Sequence, residues 1–91
     1  MNKDRRKALA AISEKIEELR AALDGVKSEL DELKDEEQDY LDNMPESFQD
    51  GEKGEKAQAA IDALDNAVSA LDDVDSQLSE AVAEIETAGN N

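Results

Sequence analysis

The chain has 91 residues, 10 Lys and Arg against 25 Asp and Glu, a net charge of −15, and neither Cys nor His. Such a length suits one small domain. Without Cys or His there is no disulfide framework, no thiolate nucleophile, no imidazole base and no Cys- or His-type metal site. The acid excess opposes direct binding to nucleic-acid phosphates and to an anionic membrane surface.

The opening Met1-Asn2-Lys3-Asp4-Arg5-Arg6-Lys7 is basic, but charged residues such as Glu14, Lys15, Glu17, Glu18 and Arg20 follow it directly. No secretory signal is expected from that pattern. Nor does any run approach ~18 uncharged apolar residues, so no membrane span is expected, and the expectation is a soluble cytoplasmic chain. High charge with few aromatics would by itself point to disorder; periodicity decides otherwise. Apolar residues fall at Leu9, Ile12, Ile16, Leu19, Leu23, Val26, Leu30 and Leu33. Alternating steps of three and four are the a and d positions of a heptad repeat. Glu37 interrupts the stripe, Tyr40 and Met44 resume it, and Pro45 closes it by forcing its predecessor out of the helical region. Helix 1 is thus predicted over about 4–43, roughly 60 Å at 1.5 Å per residue.

Residues 44–54 hold the only Pro and two of the four Gly, and form the predicted connection. Pro45 to Gln49 suits one helical turn with Pro in its first turn. Phe48 is expected to fold back as the anchor of this loop, and Tyr40 to plug the core beside it, the rival reading being a partner hot spot. Helix 2 is predicted over about 55–87. Its a/d residues are Ile61, Leu64, Val68, Leu71, Asp75, Leu78, Val82 and Ile85, with Ala57 extending the stripe backward. A second stripe, Ala60, Ala67, Val74, Ala81 and Ala88, widens the apolar face, and Ala88-Gly89 reads as a C-cap.

The predicted fold is all-α: residues 1–91 as one antiparallel two-helix coiled-coil hairpin. Two helices bury their seams only partly, and the Ala/Val stripe offers another face. A two-fold homodimer closing a four-helix bundle is therefore expected, with Ile61, Leu64, Val68, Leu71, Val74, Leu78, Val82 and Ile85 as core and dimer seam. Charges flanking the seam support the antiparallel sense: Arg6, Arg20, Lys27 and Lys34 on helix 1 face Asp65, Asp72 and Glu86 on helix 2. Two polar residues intrude. For Asp75 one reading rotates Val74 inward while the carboxylate snorkels to water; the other makes it a device that fixes register. Gly25, mid-helix, is either a weak point of ~1 kcal/mol relative to Ala or a place of close approach.

Motifs for chemistry are wanting. Carboxylates abound, but on solvated faces with no apolar pocket to split their pKa values. Asp72-Asp73-Val74-Asp75-Ser76 lacks the Gly and spaced Glu of a calcium loop, and Gly51-Glu52-Lys53-Gly54-Glu55-Lys56 lacks phosphate-loop spacing. No enzyme, cofactor or metal is expected. The connection carries a different signal. Asp35-Glu36-Glu37-Gln38-Asp39-Tyr40-Leu41, then Asp42-Asn43-Met44-Pro45-Glu46-Ser47-Phe48-Gln49, Gly51 and Glu55-Lys56-Ala57, resemble a pattern in small acidic helical proteins of bacteriophages and prophages. There an acidic segment precedes Asp-Asn-Met/Leu-Pro-Glu-Ser and an Ala/Asp/Leu-rich helix follows. The likeness spans about half of the chain, densest over residues 36–60. It implies a phage origin and a small accessory protein, with no activity assigned to any residue.

Two functions follow as expectations. The first is a coiled-coil interaction protein that binds a partner protein. The second is an acidic decoy that mimics nucleic acid and so inhibits a basic host or defence protein. Duplex DNA of ~60 Å carries about 35 charges; one copy at −15 offers about half that, and a dimer comes close. From residue 57 on, helix 2 has eight acids and neither Lys nor Arg. The candidate partner-binding residues are therefore Asp62, Asp65, Asp72, Asp73, Glu80 and Glu84.

Overall fold

The computed structural model covers Met1–Asn91 as three helices and no strand: α1 (Lys3–Asp42), a single-turn α2 (Glu46–Gln49) and α3 (Glu52–Gly89). The two periodic segments are the two long helices, within a few residues of their predicted ends. Asn2 sets the start of α1. Its Oδ1 accepts the Arg5 backbone N–H at 2.8 Å, occupying one of the first-turn donors that have no partner within the helix. Asp4 adds negative charge to that turn, where the helix dipole favours it.

The other end of α1 is closed by the loop. The Asn43 N–H still reaches the Asp39 carbonyl at 3.0 Å, the Met44 N–H tightens to the Leu41 carbonyl at 3.2 Å, and Pro45 then removes the next donor. Carbonyls at a helix end need outside partners. Gln49 supplies them: its Nε2 lies 3.2 Å from the Leu41 carbonyl, 3.4 Å from that of Asp42 and 2.9 Å from that of Met44. One side chain of α2 thereby caps α1.

The expected turn at Pro45–Gln49 forms, with the Pro45 carbonyl accepting the N–H groups of Phe48 and Gln49 at 2.8 and 3.0 Å. The expected anchor does not. Phe48 is 49% exposed and Tyr40 53%, so neither plugs a core; instead the Lys53 ammonium stands 5.3 Å from the Phe48 ring centroid, a cation–π contact. Gly54 takes the anchoring role. A side chain there would run into the Gln49 backbone, so only Gly lets the first turn of α3 lie against the end of α2. Gly54, Ala57 and Ile61 are the only buried residues of the chain.

Two compact units can be distinguished, Met1–Gly25 with Asp72–Asn91, and Val26–Leu71. In each, part of α1 packs against part of α3 in the antiparallel sense. In the first unit Leu9 lies against Gly89 and Arg20 meets Asp75; in the second Lys34 meets Asp65 and Leu41 lines a shared groove with Gly54 and Glu55 at the start of α3. On α3 the half-buried residues include those of the predicted stripe: Leu64, Val68 and Leu71 beside Ile61 in one unit; Asp75, Leu78, Val82 and Ile85 in the other.

Helix α1 departs from the prediction. Leu9, Ile16, Leu23 and Leu30 are half-buried as expected, but the residues alternating with them in the seam are Ser13, Arg20, Lys27 and Lys34. The other predicted seam positions point outward: Ile12 is 45% exposed, Leu19 55%, Val26 44% and Leu33 53%. At 100° per residue, moving from an a/d to an a/e seam is a rotation of about 50°. Val74 is likewise corrected. It does not rotate inward but is 42% exposed, while Asp75 stays in the seam.

Open space surrounds Gly25, where an added Cβ would meet nothing within 4 Å. Gly25→Ala should therefore raise stability by about 0.5–1 kcal/mol through backbone entropy alone. Gly54→Ala should lower it by about 1–3 kcal/mol through overpacking. Thermal melts followed by far-UV circular dichroism give both signs, and stabilisation by Gly54→Ala would refute the close approach at the turn.

Candidate interaction surfaces

The seam has a charged side and an apolar side. On the charged side of the first unit, the Arg20 guanidinium forks onto Asp75, Nε to Oδ1 at 3.0 Å and Nη2 to Oδ2 at 3.4 Å, while Nη1 reaches Glu17 Oε1 at 3.1 Å. Both side chains of the inter-helix pair are less than one-third exposed, 28% and 29%, which spares it part of the screening that makes surface pairs weak. In the second unit the Lys34 ammonium donates to Asp65 Oδ1 at 2.9 Å, with Asp31 at 3.9 Å. Hydrogen bonding to Asp75 and then Glu17 raises the Arg20 pKa above its ordinary value. Lys34 is raised likewise, chiefly by its hydrogen bond to Asp65.

The six acids singled out on α3 are all exposed, but they do not form one cluster. Helical geometry puts Asp62, Asp73, Glu80 and Glu84 on the side of α3 away from the seam. Asp65 and Asp72 flank the seam, and Asp65 is engaged by Lys34. Asp62 accepts a hydrogen bond from Gln58 Nε2 at 3.0 Å. Nowhere do three acidic side chains converge as metal ligands.

On the apolar side the Ala/Val stripe of α3 was expected, and the exposed aliphatic row of α1 beside it was not. In an antiparallel pair, residues turned the same way from the seam on each helix end on the same side. The outward residues of α1 sit about 80° from its seam, and the second stripe of α3 sits about 75° from its own. Both offsets have the sense that brings the two rows together. In the first unit Ile12 and Leu19 thus share a side with Val74, Ala81 and Ala88; in the second Val26, Leu33 and Tyr40 share one with Ala60 and Ala67. The signal lay in the sequence: three cations, Arg20, Lys27 and Lys34, recur every seven residues beside the aliphatic row and compete with it for the acidic partner helix.

A shallow open groove of about 390 Å³ lies between Leu9 and Ile85, rimmed by Arg6 and Glu86. No helix is long and apolar enough to cross a membrane. No protein-family model, curated protein or solved structure matches the chain.

Two measurements test the charged side. Arg20→Ala and Asp75→Ala should each lower the melting temperature by a few degrees, and the double variant by less than their sum, because the fork is shared. Full additivity would show that the pair is not coupled. For Lys34, a raised folded-state pKa means its contribution is complete below its ordinary pKa of 10.5 and is lost as the pH rises through the folded value. The stability difference between the wild type and Lys34→Gln should thus be constant near neutrality and shrink above about pH 10.5. A difference that grew there would refute the assignment.

Proposed function

We propose that this chain is a non-enzymatic interaction protein that acts by binding a partner protein, working as a homodimer. The observation carrying this reading is the division of its surface: exposed acids along the back of α3, with no Lys or Arg on that helix beyond Lys56, and exposed aliphatic residues beside the seam. Acids held on a rigid helix attract a basic partner over a Debye length and give it orientation. The partner class is a basic protein, met through Asp62, Asp73, Glu80 and Glu84, with Asp65 and Asp72 at the margin. The resemblance of the loop words Asn43-Met44-Pro45-Glu46-Ser47 to phage proteins supports a partner in a bacterial host cytoplasm.

Exposure of the α3 acids favours a second reading within the same class of contact, mimicry of nucleic acid. The two readings share a surface and differ in what the partner otherwise binds.

The test is affinity capture from a bacterial lysate with the wild type and with Asp62→Asn/Asp73→Asn/Glu80→Gln/Glu84→Gln, at low salt and at ~0.5 M salt. A partner held by the wild type at low salt, released by high salt and lost by the quadruple variant is the expected result. Displacement of that partner by duplex DNA would assign the mimic reading. Retention by the quadruple variant would overturn the role of the α3 acids.

A further inference from the structure

Charged pairs close one side of the seam in each unit; the other side leaves Ile12 and Leu19 of α1 45% and 55% exposed with Val74 of α3 at 42% in the first, and Val26, Leu33 and Tyr40 of α1 44% to 53% exposed in the second. All lie on the two long helices. We propose that a second copy of this chain covers this side in each unit, so that the dimer interface is built on the outward residues of α1 and the Ala/Val stripe of α3, with Val74 the one predicted seam residue of α3 that takes part. The inference rests on the self-association proposed above and specifies the surface that performs it.

Three features select a second copy as the occupant. The first is area. The chain exposes 6561 Å², whereas a globular monomer of 9.9 kDa exposes about 5,200 Å². The surplus of roughly 1,400 Å² exceeds the ~800 Å² per partner that a stable complex buries. The second is self-complementarity. A two-fold interface requires a surface that fits itself; here a row of large side chains stands beside a row of mostly Ala, so the knobs of one copy meet the shallow row of the other. The third is charge. Two copies of net charge −15 repel, and these two rows contain no charged residue, while Asp62, Asp73 and Glu80 lie about 100° or more round α3 from the Ala/Val stripe. A basic partner would seek the acids; an identical acidic copy is compatible only with the uncharged side.

Sedimentation equilibrium tests this together with acrylamide quenching of Tyr40, the only Tyr in a chain without Trp. The wild type should dimerise, more tightly as salt rises and repulsion is screened. Tyr40 should become at least about twofold less quenchable as dimer replaces monomer. Leu19→Gln with Leu33→Gln keeps good helix formers at exposed sites and should weaken the dimer by about a hundredfold or more. Glu14→Gln with Ser28→Gln, on the far side of α1, should change it less than about threefold. If the wild type dimerises but Tyr40 stays equally quenchable and the Leu19/Leu33 variant associates normally, the interface lies elsewhere; this inference falls and self-association stands. If the wild type is monomeric at every concentration and salt, both fall. Should the double variant lose helicity, Tyr40 quenching in the wild type still decides between these outcomes.

Discussion

The arrangement of this protein depends on how charged side chains compete with aliphatic ones for the space between two helices. Arg20 and Lys34 reach across to Asp75 and Asp65. Each contact is modest alone, since pairs in partial contact with water gain little. Aliphatic burial between only two helices is also modest, because half of each side chain stays wet in either orientation. Near that balance, a guanidinium fork onto a half-buried carboxylate is enough to turn α1 toward its cations. The consequence is asymmetric: α3 presents its aliphatic stripe to the seam, and α1 presents only every second member of its own.

The turn follows a different logic. It has no apolar plug. Gln49 satisfies the carbonyls at the end of α1, and Gly54 allows backbone to lie on backbone. Ala57 and Ile61 are then buried one and two turns further on. Backbone satisfaction and small-residue packing here replace the aromatic anchor that Phe48 suggested.

Much of this was legible in the sequence. Steps of three and four marked both long helices, Pro45 marked the break, and the sign pattern of Lys34 and Asp65 marked the antiparallel sense. Apart from Val74, the predicted seam residues of α3 lie in the seam, since no cation competes along that helix beyond Lys56. On α1 the same reading failed, since periodicity counts apolar residues and ignores what Arg20 and Lys34 gain from facing acids. For Asp75 the spacing leaves two readings open, and the structure removes the one that sends it to water: its partner lies 55 positions away in the chain, and local pattern does not show it. Gln49 gave no signal, because a capping side chain depends on where the chain returns after a turn. The six acids of α3 were found as a group by composition, yet helix geometry separates Asp65 and Asp72 from the other four.

Burial is also unevenly divided. Every buried residue belongs to Val26–Leu71, and none to the unit formed by Met1–Gly25 and Asp72–Asn91. Local opening free energies track such differences. Amide hydrogens around Ala57 and Ile61 would thus be the slowest to exchange, and those near the two chain ends would exchange through fraying. A chain built this way nucleates where sequence neighbours already touch, at its turn, and zips toward its termini with little loop entropy to overcome.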